Sequence, residues 1–552
     1  MCRFLRYATR WVLALVLTVQ AAAQLNGNFT IDPNGSGPKN YTSFAAAITA
    51  LGAGVSGPVV FHVASTTFKE KIFINPVSGT SPNNTVTFQA TGAPAVIDAG
   101  GAMDGLMLNQ AVRYLVFDNL VVKNASQYVL NLYGPYNAYA RFCRFVNCTF
   151  EAQATPSLSV QAAYLYFAKD CIFQNCRFMG GGRVIYSQQS ERCLFDGCEI
   201  DGRGQAVHLV APTNTNDADN LWMNCFFHDC GPGGHGVRFD SSQYGNMLWH
   251  NVVVVNTTSE AAFMGGCSPW TCCQSWRNNI IVNLGTGPAA VYGFNGTTLD
   301  CNDMDFNCYH APHAAQGTIH LEGGAFKGSL AGWKTYLRNN PGIIPTGGGT
   351  VFDDNSIETD PGLTSMTAPF DIRLKNGSPC IDAGTALYIA GNWVSFPPPG
   401  TSLPAGVKAD FEGEPRDTLP DIGADEMTVQ IIASGSPKPG ATLTLLLLAQ
   451  RDIGLPCQVG TSLTAGSIPL GNRRIGLGLD AILIASVSGT LPTIFAGYTG
   501  IIYSTGAGQA WINIPDKAEL RGVRLFNVFV TIRAGAPSGI QSISRTFVFT
   551  IN

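Results

Sequence analysis

The stretch "CRFVNC" (Cys143–Cys148) is followed by "CIFQNC" (Cys171–Cys176), "CLFDGC" (Cys193–Cys198) and "CFFHDC" (Cys225–Cys230), one phrase with four residues between its cysteines. In "CIFQNCRF" the alternation puts Cys171 and Phe173 on one face. Asn175 supplies a bend, because asparagine tolerates left-handed backbone, and Cys176 and Phe178 then return to that face. Asn147, Asn175, Gly197 and Asp229 occupy the same bend position in the four phrases. The second cysteines recur at intervals of 28, 22 and 32 residues, which suits a coil of short strands whose connecting loops vary in length. Successive turns of such a coil lie ~4.8 Å apart, so like residues stack in columns. Parallel Cβ vectors at that spacing fit a disulfide poorly, since its Cβ atoms must approach to ~3.8 Å. The eight cysteines are therefore expected to be buried and reduced, with disulfides inside one turn as the rival reading. Zinc is a poor match, because C-x-x-C spacing is absent and the intervening aromatic residues need a dry interior.

Working outward, 552 residues with 45% hydrophobic content exceed one ordinary domain. Only 13% of residues are charged and the net charge is −4, which offers no basic footprint for nucleic acid. The N-terminus carries Arg3, Arg6 and Arg10 ahead of an apolar run from Trp11 to Val19 and small residues at Ala21–Ala23. This reads as a secretory signal peptide over residues 1–23, cleaved near Gln24. The run is well short of the ~20 residues a membrane span needs, so the mature chain is expected to be exported, secreted or cell-surface, without a span. Of 16 cysteines, 15 remain once Cys2 leaves with the leader, and an odd number cannot all pair within the chain.

"NYTSFAAAITAL" predicts one short helix, capped by Ser43 or Thr42, with Phe44, Ile48 and Leu51 on one face. Little after it has helical period. "GPVVFHV", "TVTFQA", "YLVFDNLVV", "MLWHNVVVV" and "SWRNNIIVN" are short strand-like runs separated by Asn, Gly and Ser. From about Gly27 to Glu426 the chain resembles a right-handed parallel β-helix of the pectate-lyase-like superfamily. Three stretches carry the resemblance: "GNFTIDPNGSGPKNYTSFAAAITAL" with the following "GVSGPVVFHV", the cysteine phrases, and "DPGLTSMTAPFDIRLKNGSPCIDAG" with "DFEGEPRDTLPDIGADE". The last of these resembles sequence that closes such helices. The superfamily includes lyases, glycosidases, esterases and non-catalytic adhesins, so the resemblance implies fold more than chemistry. After Met427, "AILIASV", "AWINIP", "LFNVFVTI" and "RTFVFTI" predict a small antiparallel β-sandwich over residues 428–552. It resembles a C-terminal domain of exported planctomycete-type proteins and implies an accessory or surface-retention module. The fold class expected is thus all-β, a parallel β-helix over residues 24–427 followed by a sandwich.

Aligning "GRVIYSQ", "GQAVHLV" and "GHGVRFD" as neighbouring strands puts Ile185, Val207 and Val237 in an inward column and Tyr186, His208 and Arg238 in the outward column beside it. Gln188, Val210 and Asp240 follow two positions on, and extending the frame adds Phe263 and Tyr292 to the outward stripe. Aromatic faces stack on sugars and an arginine fork suits a uronate carboxylate, so the stripe proposes a polysaccharide groove. In a β-elimination, His208 has the ordinary pKa for the base, Arg238 would neutralise the carboxylate and Tyr186 would protonate the leaving oxygen. Asp240 could orient Arg238, with Gln188, Phe263 and Tyr292 lining the substrate. The competing reading makes these ordinary outward residues beneath a long loop. Seven of the eight histidines lie between His208 and His320, concentrating titratable groups in mid-coil.

"GGHG" (Gly233–Gly236) resembles the GHG element of polygalacturonases. The preceding Asp-Asp is missing, with "NDADN" upstream, no RIK-like element follows, and His235 falls on the inward phase. "DCNDMDFN" (Asp300–Asn307) and "DDNSIETD" (Asp353–Asp360) are oxygen-rich enough for Ca²⁺ but lack EF-hand spacing, and read as surface turns. No other cofactor motif is present. "CSPWTCC" (Cys267–Cys273), with Cys301 and Cys308 later, predicts loop disulfides whose partners the spacing does not define. The function expected is binding, and cleavage, of an acidic polysaccharide or cell-surface glycan, lyase ahead of hydrolase. A non-catalytic adhesive or carbohydrate-binding scaffold is the alternative.

Overall fold

Strands of two to nine residues, turned by single left-handed residues, wind into a parallel coil with three faces. The structure, a computed structural model, describes residues 24–134, 138–154, 157–202, 205–211, 217–230, 235–241, 243–244, 246–256, 263–266, 275–286, 292–295, 303–314, 316–321, 326–340, 353–375, 378–381, 383–385, 407, 409–413, 416, 420–426, 429–449, 452–470 and 473–552. Sheet I has twelve strands and runs to Asp303–Asp305. Sheet II has eleven, from Thr67–Phe68 to Ile357–Glu358, and sheet III eleven, from Ile72–Ile74 to Phe326–Gly328. Each strand pairs with those one turn earlier and later, in parallel, until Phe326–Gly328 reverses against Ile319–Leu321. The chain is a right-handed parallel β-helix followed by antiparallel sheets.

The bend chemistry behaves as expected at the corner between sheets I and II. Asn119, Asn147, Asn175, Gly197, Asn224, His250 and Asn278 all have φ between 51° and 62°. At Gly197 a Cβ would also lie 2.7 Å from the Asn175 amide oxygen, so this turn needs glycine on two counts. Inside sheet I, Phe88, Phe117, Phe145, Phe173, Phe195 and Trp222 stack nearly parallel, with centroids 3.6 to 5.4 Å apart. Each such pair contributes about 0.5–1.5 kcal/mol beyond its burial.

All eight phrase cysteines are buried and free, as expected for a reduced ladder. The fourth phrase is out of frame with the others. Leu194 pairs with Leu221, and Glu199 pairs with Phe226. The first column is therefore Cys143, Cys171, Cys193, then Asn220, whereas Cys225 continues the second column after Cys148, Cys176 and Cys198. Asn224, not Asp229, holds the shared bend. Asp229 is also left-handed, at the following corner. An identical spacing of cysteines disguised a shift of register, because both ends of the phrase point inward.

The second column then changes residue type without changing function. The thiols of Cys148, Cys176, Cys198 and Cys225 donate to the carbonyls of Phe117, Phe145, Phe173 and Phe195, one turn earlier, at 3.3 to 3.5 Å. Asn251, Asn279 and Asn307 follow in the same column, and their Nδ2 atoms donate to Trp222, Leu248 and Trp276 at 2.9 to 3.0 Å. Cysteine here is a weak donor that satisfies a buried carbonyl, as well as an apolar filler.

At the N-terminal end Phe44–Leu51 forms the predicted helix. Ser43 accepts from the Ala46 amide, and Phe44, Ala47 and Leu51 are buried. Two helices were not anticipated, Leu330–Asn339 and Ala481–Ser488, the latter formed by the "AILIASV" run that was read as a strand. The first buries Leu330, Trp333 and Leu337 in the coil's own core, so a helix closes the C-terminal end. The described part of the stretch from Leu363 to Glu426 does not close the coil. It returns over the outside of sheet II, packing Leu363, Ile372, Leu374, Cys380 and Ile422 against Phe226, Val252, Ile280 and Cys308. Gly423 comes so close that a Cβ would lie 2.6 Å from Ile280 Cδ1. Asn278 exchanges hydrogen bonds with Thr385, and the buried Arg416 joins Glu426, Asn224 and the Gly423 carbonyl.

The aspartate-rich stretches are not loose surface turns either. Asp305 accepts from the Asn355 backbone and side-chain amides, while the buried Asp353 accepts from Tyr309 and Ser356. Burial pushes Asp353 up to about 6, against those two hydrogen bonds. Beyond Val429, a four-stranded and a five-stranded antiparallel sheet enclose a separate core that includes Leu445, Val459, Ala510, Ile512 and Phe529. Arg545 contacts the Leu374 carbonyl and Asp425, joining these sheets to the return segment. Among the described residues no helix is long and apolar enough to cross a membrane.

Candidate binding face on sheet III

With the return segment seated on sheet II, the described outward side chains of sheet III are partly exposed, apart from the buried Asn131 and Gln161. Alternation sets two of the outward columns, and a third precedes them across two consecutive inward residues, such as Val184 and Ile185. Tyr128 pairs with Gln161 and then Arg183; Asn131 pairs with Tyr164, Tyr186, His208 and Arg238 in turn; Tyr133 pairs with Tyr166, Gln188, Val210 and Asp240. The expected adjacency of Tyr186, His208 and Arg238 is therefore present in the backbone register, as is that of Gln188, Val210 and Asp240.

Five tyrosines dominate the earlier turns. The Tyr164 ring stacks on Tyr186 (5.7 Å, 7°), Tyr128 (4.8 Å, 21°) and Tyr166 (5.8 Å, 10°), and Tyr166 stacks on Tyr133 (5.5 Å, 29°). The Arg183 guanidinium lies 4.6 Å from the Tyr186 ring centroid. Their faces are thus largely occupied by one another and by arginine. What the cluster turns outward is ring edge and phenol, a row of hydrogen-bonding groups in place of flat stacking platforms. Burial raises the Tyr164 phenol well above its ordinary range, and burial followed by nearby Asp104 raises Tyr128, so both remain protonated donors at neutral pH. Tyr164 Oη also reaches Gln188 Oε1 at 3.4 Å.

Tyr186, Gln188 and Arg238 are partly exposed on this face. His208, Asp240, Phe263 and Tyr292 have defined strand positions, and their side chains lie outside the described residues. The extension to Phe263 and Tyr292 is corrected by the register. Phe263 pairs with Val237 and Tyr292 with Phe263, which continues the column of Ile185 and Val207. Arg238 is followed instead by Met264, Gly293 and His320. The alignment slipped by one residue where no bend phrase marks the strand. Tyr128, Tyr133, Tyr164 and Tyr166 were missed, although "QYVLNLY" and "QAAYLYF" show them once the frame is carried two turns back, and Arg183 was passed over in "GRVIYSQ" itself.

Among the described side chains, His228, His235 and His250 do not converge. His235 is buried, in keeping with its inward phase, and His250 is buried at the corner beside Asn278. His228 lies under the return segment between Phe226 and Phe370, its two ring nitrogens 3.1 Å from Asp229 and Glu199. Among the described residues, two groups of carboxylate and imidazole side chains are close enough together to consider for a metal, Asp201–His228–Asp229 and Asp410–Glu412–Asp425. Protein partners already engage them: the His228 nitrogens as above, Asp425 by the Leu374 amide and Arg545, and Asp410 by the Glu426 amide. Cys267, Cys272, Cys273 and Cys301, for which loop disulfides were expected, lie outside the described residues, and Cys308 is a free, buried thiol.

Residues 71–304 match the family model described as the right handed beta helix region. No curated protein sequence matches the chain. Solved structures similar to it include ORF18 of Geobacillus virus E2, at 12% identity over 77% of this chain and 71% of that one, with a TM-score of 0.37. An alginate lyase from Paenibacillus sp. str. FPU-7 is 12% identical over 51% of this chain and 95% of its own, with a TM-score of 0.32. The pectin methylesterase from Aspergillus niger is 12% identical over 60% and 93%, with a TM-score of 0.28.

Proposed function

We propose that the outer face of sheet III binds an acidic polysaccharide and that Tyr186, His208 and Arg238 cleave it by β-elimination. The observation that carries this reading is the register that sets these three residues on consecutive strands, beside a tyrosine cluster rich in hydroxyl donors. Strand spacing of ~4.8 Å spreads the three over about 10 Å, enough to address two neighbouring sugars. Arg238 neutralises the uronate carboxylate, which acidifies the adjacent C–H. His208 accepts that proton, the freed electron pair forms the carbon–carbon double bond, and the glycosidic carbon–oxygen bond breaks. Tyr186 protonates the departing oxygen. Arg183, stacked on Tyr186, supplies a second cation for a neighbouring carboxylate.

The mutual stacking of the tyrosines also suits a purely adhesive face, because phenol edges hold a polymer without any chemistry. The two readings separate in a double variant, His208→Ala with Arg238→Ala. Loss of unsaturated product with binding retained through the tyrosines supports cleavage. Undiminished product formation by the double variant removes all three catalytic roles.

A further inference from the structure

The ladder cysteines and the remaining cysteines sit in different geometries. Those of the two columns inside the coil are carried by neighbouring parallel strands, which hold their Cβ vectors alongside each other. Cys308 and Cys380 are not related in this way. Cys308 lies on the strand Cys308–His310 but points out of the coil, since Tyr309 beside it joins the interior. Cys380 belongs to a turn in the return segment, where its backbone amide is held by Ser378 Oγ at 3.1 Å. Both are fully buried in the apolar layer between that segment and sheet II.

Short contacts tie the two together. The Thr359 amide donates to the Tyr309 carbonyl at 3.0 Å, and Ser378 Oγ donates to the Pro361 carbonyl at 2.5 Å, so residues 359–361 bridge the strand and the turn. Cys308 Sγ lies 3.6 Å from the Thr359 carbonyl, and Cys308 and Cys380 pack in the same apolar cluster, close enough to interact electrostatically. A turn-borne cysteine facing a strand-borne one is free of the parallel constraint that disfavours bonding within the ladders.

We propose that Cys308 and Cys380 form a disulfide that fastens the return segment to sheet II in an oxidising compartment. The two thiols lose two protons and two electrons as the sulfur–sulfur bond forms. A disulfide-bearing oxidant, of protein or glutathione type, takes up both and becomes two thiols. Because both sulfurs are buried in the seated state, exchange takes place before the return segment settles, or when it lifts.

The test uses the full chain secreted into an oxidising medium and never exposed to reductant, denatured, alkylated, digested and read by mass spectrometry. The expected result is a Cys308 peptide joined to a Cys380 peptide and separated by dithiothreitol, with Cys143, Cys148, Cys171, Cys176, Cys193, Cys198 and Cys225 all alkylated. Alkylation of both Cys308 and Cys380 in that sample, or a bond from either to a different cysteine, overturns the proposal. A second readout compares urea midpoints. Reduction should lower the wild-type midpoint by more than it lowers that of Cys380→Ser, and the two reduced midpoints should agree. An unchanged wild-type midpoint on reduction overturns it equally.

Discussion

Replacing Asn279 by alanine probes the column in which thiols and amides do the same work. Asn279 is fully buried; its Nδ2 donates to the Leu248 carbonyl at 2.9 Å and to Asn307 Oδ1 at 3.0 Å. Its Oδ1 accepts from both the backbone amide and the Nδ2 of Asn251, each at 3.0 Å. Truncation leaves the Leu248 carbonyl and two Asn251 donors without these partners in a site closed to water. A buried polar group left unsatisfied costs about 1–3 kcal/mol, and some relaxation of the Asn251 amide is available, so the expected loss is about 3–5 kcal/mol. The bend variant Asn147→Ala serves as comparison. It loses an exposed hydrogen bond to Asp118 and places alanine at φ 53°, which costs about 1–2 kcal/mol. Asn279→Cys should recover part of the deficit, because a thiol meets the preceding carbonyl in this way at Cys176 and Cys198. Urea unfolding followed by circular dichroism and by tryptophan fluorescence measures all three, the two probes testing whether the coil unfolds in one step. A loss below that of Asn147→Ala, or no gain from cysteine over alanine, would refute the shared role.

Three further outcomes are expected. Burial alone would depress the His228 imidazole, yet its hydrogen bonds to Glu199 and Asp229, with Asp201 nearby, hold it above the usual value. That stabilisation is complete below the unfolded histidine pKa and is lost as pH rises through the folded one; proteolysis of the return segment should therefore accelerate from neutral to mildly alkaline pH, and His228→Gln should abolish the dependence. On the binding face, Tyr164→Phe and Tyr186→Phe each remove a phenol and should weaken retention on an acidic polysaccharide about 2- to 10-fold, read by affinity electrophoresis. Phe173→Ala opens a cavity in the aromatic stack and should cost about 3–5 kcal/mol of stability in urea unfolding, while Phe73→Ala, exposed on sheet III, should cost under about 1 kcal/mol.

The coil was legible because its signals are local. A left-handed asparagine between two short alternating runs states a corner, and stacked phenylalanines state the interior. What escaped depends on register between distant segments. Cys225 carries the same phrase as Cys193 but occupies the column of Cys198, since the insertion before it moves the frame by five residues without disturbing inward phase. The helix Leu330–Asn339 carries Leu330, Trp333 and Leu337 at helical spacing in a stretch otherwise read for strands. The return segment was read as closing the coil, because its apolar residues look the same whether they cap the coil's end or cover sheet II. For the binding face, the column of Tyr186, His208 and Arg238 followed from two bends in known phase. Phe263 was misplaced where the chain between corners offers no such marker.

The central claim is that sheet III handles an acidic polysaccharide. Its most direct test is incubation of the protein with a panel of uronate-containing polymers, followed at the ultraviolet absorbance of unsaturated uronates and by retention on the same polymers. An absorbance rise is expected with at least one polymer, lost in the His208→Ala, Arg238→Ala variant and reduced in the tyrosine variants. No rise in absorbance and no retention on any member of the panel would contradict it.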